Sequence, residues 1–233
     1  MATIALDATY TVDPNPSGVA VFSLRLIQAL VALKTPHRFL ICYRLSRFKR
    51  RHCFLRTESL PAPAASDFRV RLMQEPLTFW LPRQAELFHS LAQRPPAFRF
   101  PKEVVTIHDV FPLAGRDYST PDFQRKFARL LREAAERASL VVVPSQYTSS
   151  ELVKYSVVPE RKIRVVPEGV DLPATLALPD EVRRERERLA GAGKHMILSI
   201  GVIQTRKNTL NMLRALQALP ENYRLVLAGG DGY

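Results

Sequence analysis

The sequence predicts an α/β protein with parallel sheets. Short apolar strands alternate along the chain with amphipathic helices. Of the 233 residues, 46% are hydrophobic and 24% charged, a globular composition long enough for one large domain or two small ones.

The elements follow in order. Thr3 to Leu6 is an apolar strand with Asp7 near its end, and the loop Tyr10 to Gly18 is polar and proline-bearing. Val19 to Leu33 has helical spacing at Val19, Phe22, Leu26, Ile27, Leu30 and Leu33. Arg38 to Tyr43 is a strand. Ser46 to Arg56 is basic, and Ser59 to Ala65 is proline-rich and irregular. Strands follow at Phe68 to Leu72, Glu86 to Ser90 and Glu103 to Ile107. Pro121 to Ala138 is an amphipathic helix, Leu140 to Val143 a strand, Ser145 to Tyr155 a short helix and Ile163 to Val166 a strand. Pro179 to Ala190 is a charged helix whose Glu185 and Glu187 interleave with arginines, so internal ion pairs suffice for it. Met196 to Ile200 and Tyr223 to Leu227 are the last strands, with a helix from near Asn208 between them. The strand–helix rhythm pauses between Asp171 and Lys194, so the domain boundary is placed there: residues 1–172, a linker at 173–193, and 194–233.

The formal charge is +12. It favours polyanions, anionic membrane surfaces or phosphorylated substrates without choosing among them. Cys42 and Cys53 have no metal-like spacing and fit a reducing compartment. No signal peptide opens the chain, and no apolar run approaches the about 20 residues of a membrane span. A cytoplasmic protein is expected, with peripheral contact at the inner membrane face as a further reading.

The segment His195 to Leu216 is the most informative. A buried strand runs into Gly201, then Arg206 and Lys207, then a helix that Asn208 or Thr209 can cap. Two cations at the positive end of a helix dipole suit an anion, above all a phosphate. The alternative is a pair of solvated cations on a surface turn. His108, with Asp109, stands just after a strong strand, at the sheet edge where ligands of open α/β folds collect. Its imidazole can hydrogen-bond a sugar hydroxyl in either direction, or it orders the loop while Asp109 caps the next segment.

Four segments together resemble one family. They are SGVAVFSLRLIQAL, VVTIHDVFPL, VVVPSQYTSSEL with KIRVVPEGVD after it, and ILSIGVIQTRKN. The chain resembles the retaining GT-B glycosyltransferases of the large bacterial mannosyl and glucosyl transferase group, over about two-thirds of such an enzyme. The resemblance implies a Rossmann-like doubly wound parallel sheet as N-terminal, acceptor-side domain, plus the first β-α-β unit of a second Rossmann-like domain that binds donor. It implies transfer of a hexose from a nucleotide sugar to a hydroxyl acceptor, a glycan or lipid-linked glycan, with retention of configuration.

By the same resemblance His108 lines the cleft as the catalytic candidate. Gly201, Arg206 and Lys207 hold the donor diphosphate, and Gly18 lets the backbone approach it, although Ser17 and Ala20 stand where the family often has glycine. Asp109, Ser145, Glu168 and Gly169 are candidate cleft residues. Ser145, with Thr148 and Ser149, reads more simply as a helix cap, and Glu168 stands where the family often has Asn. No His, Asp and Glu cluster has ligand spacing, so neither a metal nor another cofactor is expected.

The family's two glutamates separated by seven residues, which hold donor sugar and ribose, find no match here. The chain therefore reads as a fragment of a transferase or as a short non-catalytic remnant, with little or no turnover expected of it alone. Two other classes compete: a basic module docking on a membrane or partner, and nucleic-acid binding, which charge alone suggests and no motif supports, so no nucleic acid is expected as partner. A nicotinamide-linked Rossmann enzyme is disfavoured because the first strand lacks GxGxxG.

Overall fold

The computed structural model describes residues 1–12, 16–33, 35–49, 68–74, 76–114, 119–155, 157–173 and 175–230. Most of the basic run (50–56), Cys53, the proline-rich stretch 59–65 and the last three residues lie outside the described residues. The chain forms two compact units, one of Met1–Ala114 and Pro121–Glu168, the other built mainly from Gly169 onward.

The first unit contains β1 (Thr3–Asp7), α1 (Gly18–Ala32), β2 (Arg38–Arg44), α2 (Leu45–Phe48), β3 (Phe68–Met73), β4 (Leu87–Ser90), β5 (Glu103–Thr106), α3 (Phe111–Ala114), α4 (Pro121–Arg137), β6 (Leu140–Val143), α5 (Gln146–Lys154) and β7 (Ile163–Val165). Its strands make one seven-stranded sheet in the order β3-β2-β1-β4-β5-β6-β7, every neighbouring pair parallel. This is the predicted Rossmann-like α/β sheet.

Alternation along the strands explains why both faces are covered. On β2, Phe39, Ile41 and Tyr43 join Leu6, Ile27 and Leu91 in one core, while Leu40 and Cys42 join Ala5, Phe88 and Phe100 in another. On α4 the buried residues are Phe127, Leu131, Ala134 and Ala135, a helical stripe that packs with β5, β6 and α5. Burial and the nearby Asp7 carboxylate push the Cys42 thiol well above its ordinary range, so that sulfur is an inert core group.

His89, on β4, shares a hydrogen bond with the Thr106 hydroxyl (2.9 Å), and burial pushes its imidazole down to about 4. The folded protein thus keeps this ring neutral where the unfolded chain, near 6.5, takes up a proton. Between those pH values the unfolded state binds more protons, so stability falls as pH falls from about 6.5 to about 4, by about 3 kcal/mol in total. Urea midpoints measured across that window should show the loss, and His89→Gln should flatten it.

The second unit holds α6 (Pro179–Ala190), β8 (His195–Ile200), α7 (Thr209–Gln217) and β9 (Tyr223–Ala228). β8 and β9 pair in parallel from His195↔Tyr223 to Ile200↔Ala228. The division falls after Glu168, and α6 packs on β8 and β9, so the charged helix expected as linker is part of this unit. Pro179 opens α6, and the Glu181 carboxylate accepts the Leu178 N–H at 3.0 Å. Arg183 pairs with Asp180, and Arg188 with Glu185, one turn apart as the charge pattern suggested. Among the described residues Ala190 alone of this unit is buried, and Ile200 on β8 is 75% exposed. One strand-helix-strand layer leaves such apolar side chains open.

Candidate functional site

The parallel sheet brings the carboxyl ends of all its strands to one edge. The chain starts at β1, moves outward to β3 and resumes on the other side at β4. Loops after β1 and β4 therefore diverge, and ligands of open α/β sheets bind in the crevice this leaves. His108 follows β5 beside that point. Its Nε2 donates to the Leu91 carbonyl, 3.0 Å away in the segment after β4, and its Nδ1 lies 3.1 Å from Glu168 Oε1 after β7. Because a carbonyl only accepts, Nε2 carries a proton. Phe22 of α1 meets the ring edge-on with centroids 4.7 Å apart, and the Thr148 hydroxyl of α5 donates to the His108 carbonyl at 3.3 Å. Three segments thus hold the imidazole and a fourth holds its backbone; the His108 side chain is 12% exposed, whereas the Glu168 side chain is 46% exposed.

The other candidates of this unit divide around that ring. Asp109 is exposed and engaged by neighbouring groups. Ser145 has an extended backbone, and its Oγ accepts the Thr148 N–H at 3.1 Å, so it caps α5. Ala20 is 2% exposed, its methyl packed inside. Gly18 is the first residue of α1, and an added Cβ there meets nothing within 4 Å. The fold itself therefore does not require this glycine. Gly18→Ala should leave the thermal midpoint unchanged or raise it, since alanine outranks glycine in a helix by up to about 1 kcal/mol. A marked fall in the midpoint by calorimetry would contradict this.

Asp7, placed by its sequence only at a strand end, holds this edge together. It is 2% exposed. Its Oδ1 accepts from the Thr9 N–H at 3.0 Å and from the Thr9 hydroxyl, and Oδ2 lies 3.5 Å from Arg44 Nη2. That guanidinium also donates to the Arg94 carbonyl at 2.8 Å, which ties the loop after β1 to the loop after β4. The partners are 37 and 50 residues from Arg44, beyond any local sequence signal.

In the second unit Gly169 is exposed and lies outside any helix or strand. Gly201 follows β8 at φ +135°, a backbone that side chains rarely adopt. Its N–H donates to the Ala228 carbonyl at 2.8 Å. A Cβ added to Gly229 would lie 2.0 Å from the Gly201 carbonyl oxygen, so two glycine backbones meet where the loop leaves the strands. A 3-10 turn, Thr205–Lys207, then carries both cations. Arg206 Nε donates to Gln204 Oε1 at 3.0 Å. Lys207 and Gly201 line a hollow of about 70 Å³. A larger one of about 530 Å³, lined by Gln204, Thr205, Asn208, Thr209, Asn211 and Arg214 among others, lies at the start of α7. Arg206 lines neither. Arg214, one to two turns into α7, is a further cation of this lining, and that helical spacing is its only signal in the sequence.

The capping expectation for Asn208 and Thr209 is corrected. Asn208 stands at φ 57°, ψ 34°, ending the 3-10 turn in a left-handed conformation, and makes no side-chain cap bond. A capping side chain needs an extended backbone to aim at the helix amides. Asn is instead suited here by its tolerance of that left-handed geometry. Thr209 is the first residue of the helix itself.

Among the described residues no group of three His, Cys, Asp or Glu side chains is placed to hold a metal ion. No described helix is long and apolar enough to cross a membrane.

The family model for Glycosyltransferase Family 4 matches residues 16–173. The O-antigen chain mannosyltransferase B of Escherichia coli is 26% identical over 139 residues, covering 58% of this chain and 36% of that relative. Anabaena HepE solved in complex with UDP has the same fold at a TM-score of 0.65 and 16% identity, covering 100% of this chain and 62% of HepE. HepE in complex with UDP-glucose matches at 0.65 and 17% identity over 99% and 61%. The chain thus spans about a third of the curated relative and about three-fifths of the solved structures.

Proposed function

The chain belongs to Glycosyltransferase Family 4, and from that premise we propose that it serves transfer of a hexose from a nucleotide sugar to a hydroxyl acceptor, with retention of configuration. The observation that carries the donor half is the loop from Gly201 to Thr209. A glycine-opened turn delivers Arg206 and Lys207 to the positive end of a helix. Departure of a nucleoside diphosphate develops negative charge on the leaving phosphate. Fixed cations and a helix start stabilise such charge without reorganising.

On the acceptor side His108 is the group offered to a sugar hydroxyl. Both ring nitrogens have protein partners, so a hydroxyl that reaches Nδ1 takes the place of the half-exposed Glu168 carboxylate. Retention follows from attack on the face that the diphosphate leaves, with the leaving phosphate aiding deprotonation of the acceptor. The acceptor is a glycan or lipid-linked glycan met at the cytoplasmic face of a membrane. Support comes from the mannosyltransferase relative and from the UDP and UDP-glucose held by HepE.

Thermal unfolding with added nucleotides tests this reading. A ligand that binds only the folded state raises the midpoint. A rise with UDP or GDP, and a smaller one with the matching monophosphate, is the expected result. No rise with any nucleoside diphosphate would refute the donor assignment.

A further inference from the structure

The turn between β3 and β4 presents apolar side chains outward. Leu77 is 65%, Phe79 69% and Trp80 36% exposed, three large side chains within four positions. Chance scatter of single surface apolars needs no explanation, but a contiguous group does. The turn is also rigidly built. Thr78, between the exposed residues, is 3% exposed; its hydroxyl donates to the Gln74 carbonyl at 3.0 Å and accepts the Gln74 N–H at 2.8 Å. The Phe79 and Leu81 amides close on the Pro76 and Thr78 carbonyls. Threonine anchors the loop from within and leaves its neighbours facing solvent.

The surroundings of the turn say what covers it. Met73 at the end of β3 pairs with Arg44 at the end of β2. The turn and α2 therefore leave the sheet side by side, at the edge that carries His108. α2 begins with Leu45, 48% exposed, and Arg47 and Lys49 follow. Arg94, after β4 on the same edge, is also exposed. Aromatic side chains that enter the headgroup region, backed by cations that attract anionic lipid, are the chemistry of a peripheral membrane contact.

We propose that the Leu77–Trp80 turn, with Arg47, Lys49 and Arg94 behind it, docks this protein on a bilayer surface bearing anionic phospholipid. The inference deepens the lipid-linked form of the acceptor proposed above, since it would bring the His108 edge of the sheet to the surface where such an acceptor lies.

Trp80 is the single tryptophan of the chain, so its emission reports the turn directly. Titration with phosphatidylcholine vesicles, with and without phosphatidylglycerol, is the test. A blue shift with anionic vesicles, weakened by salt and absent with neutral ones, is expected. Leu77→Ser with Phe79→Ser should bind those vesicles at least about tenfold more weakly, with an unchanged far-ultraviolet spectrum. Emission unmoved by anionic vesicles overturns the proposal. So does equal binding by the double variant, or a blue shift that grows with protein concentration alone, which would mean a second copy covers the turn. No donor or acceptor enters this titration, so its failure leaves the transferase reading standing.

Discussion

Glu103→Ala should lower the unfolding free energy of the first unit by about 3–5 kcal/mol. Glu103 is 6% exposed at the start of β5. It accepts the Phe100 N–H at 2.9 Å and two bonds from Arg137, from Nε at 2.9 Å and Nη2 at 2.7 Å. The Arg137 side chain, 4% exposed at the end of α4, also donates to the Pro96 and Phe98 carbonyls. One planar guanidinium therefore clamps a helix end to the segment entering the sheet. Removing the carboxylate alone leaves a buried cation with carbonyls and the half-exposed Glu133, 3.7 Å away, as its remaining company. Against a total stability of about 5–15 kcal/mol that loss is large. Pairing Glu103→Leu with Arg137→Met should recover much of it, because apolar isosteres avoid the desolvation that a buried ion pair must offset. Urea unfolding followed through Trp80, which lies in the first unit, reads both variants. A loss under about 1 kcal/mol for Glu103→Ala would mean that the pair is not buried in solution.

Arg206→Ala with Lys207→Ala should weaken binding of a nucleoside diphosphate at least about 100-fold while leaving the fold intact. Each hydrogen bond to a charged group contributes about 1.5–3 kcal/mol, and every 1.4 kcal/mol is tenfold in affinity. Both side chains are exposed, so the double variant removes charge rather than packing. Calorimetric titration with UDP and GDP measures the effect. A change of less than about threefold would assign the two cations to solvent.

The strands were legible because a sheet covered on both faces demands apolar runs, and β1, β2, β5 and β6 supply them. The helices were legible where one face is buried: Phe127, Leu131 and Ala135 recur at helical spacing on α4. Contacts between distant residues were not. Arg137 reaches Glu103 across 34 positions and His108 reaches Glu168 across 60, and no local pattern announces either. Backbone conformation was legible only in part. Gly201 reads as a loop opener, yet the left-handed Asn208 looks like an ordinary cap, and the need for Gly229 arises only from its meeting with Gly201. The Leu77–Trp80 turn has no signal in the sequence, because exposed and core apolar residues look alike along a chain. Of the site, the sequence placed His108, Arg206 and Lys207 in their elements. The helix cap at Ser145 was legible as the simpler role of that residue, whereas nothing local announces that Glu168 faces His108.

The proposed donor role of the Gly201–Thr209 loop is tested most directly by amide chemical shifts of the isotopically labelled chain titrated with UDP. The predicted result is saturable shifts largest at Gly201, Lys207, Asn208 and Thr209. Shifts confined to residues outside that loop, or none as UDP is raised, would contradict it.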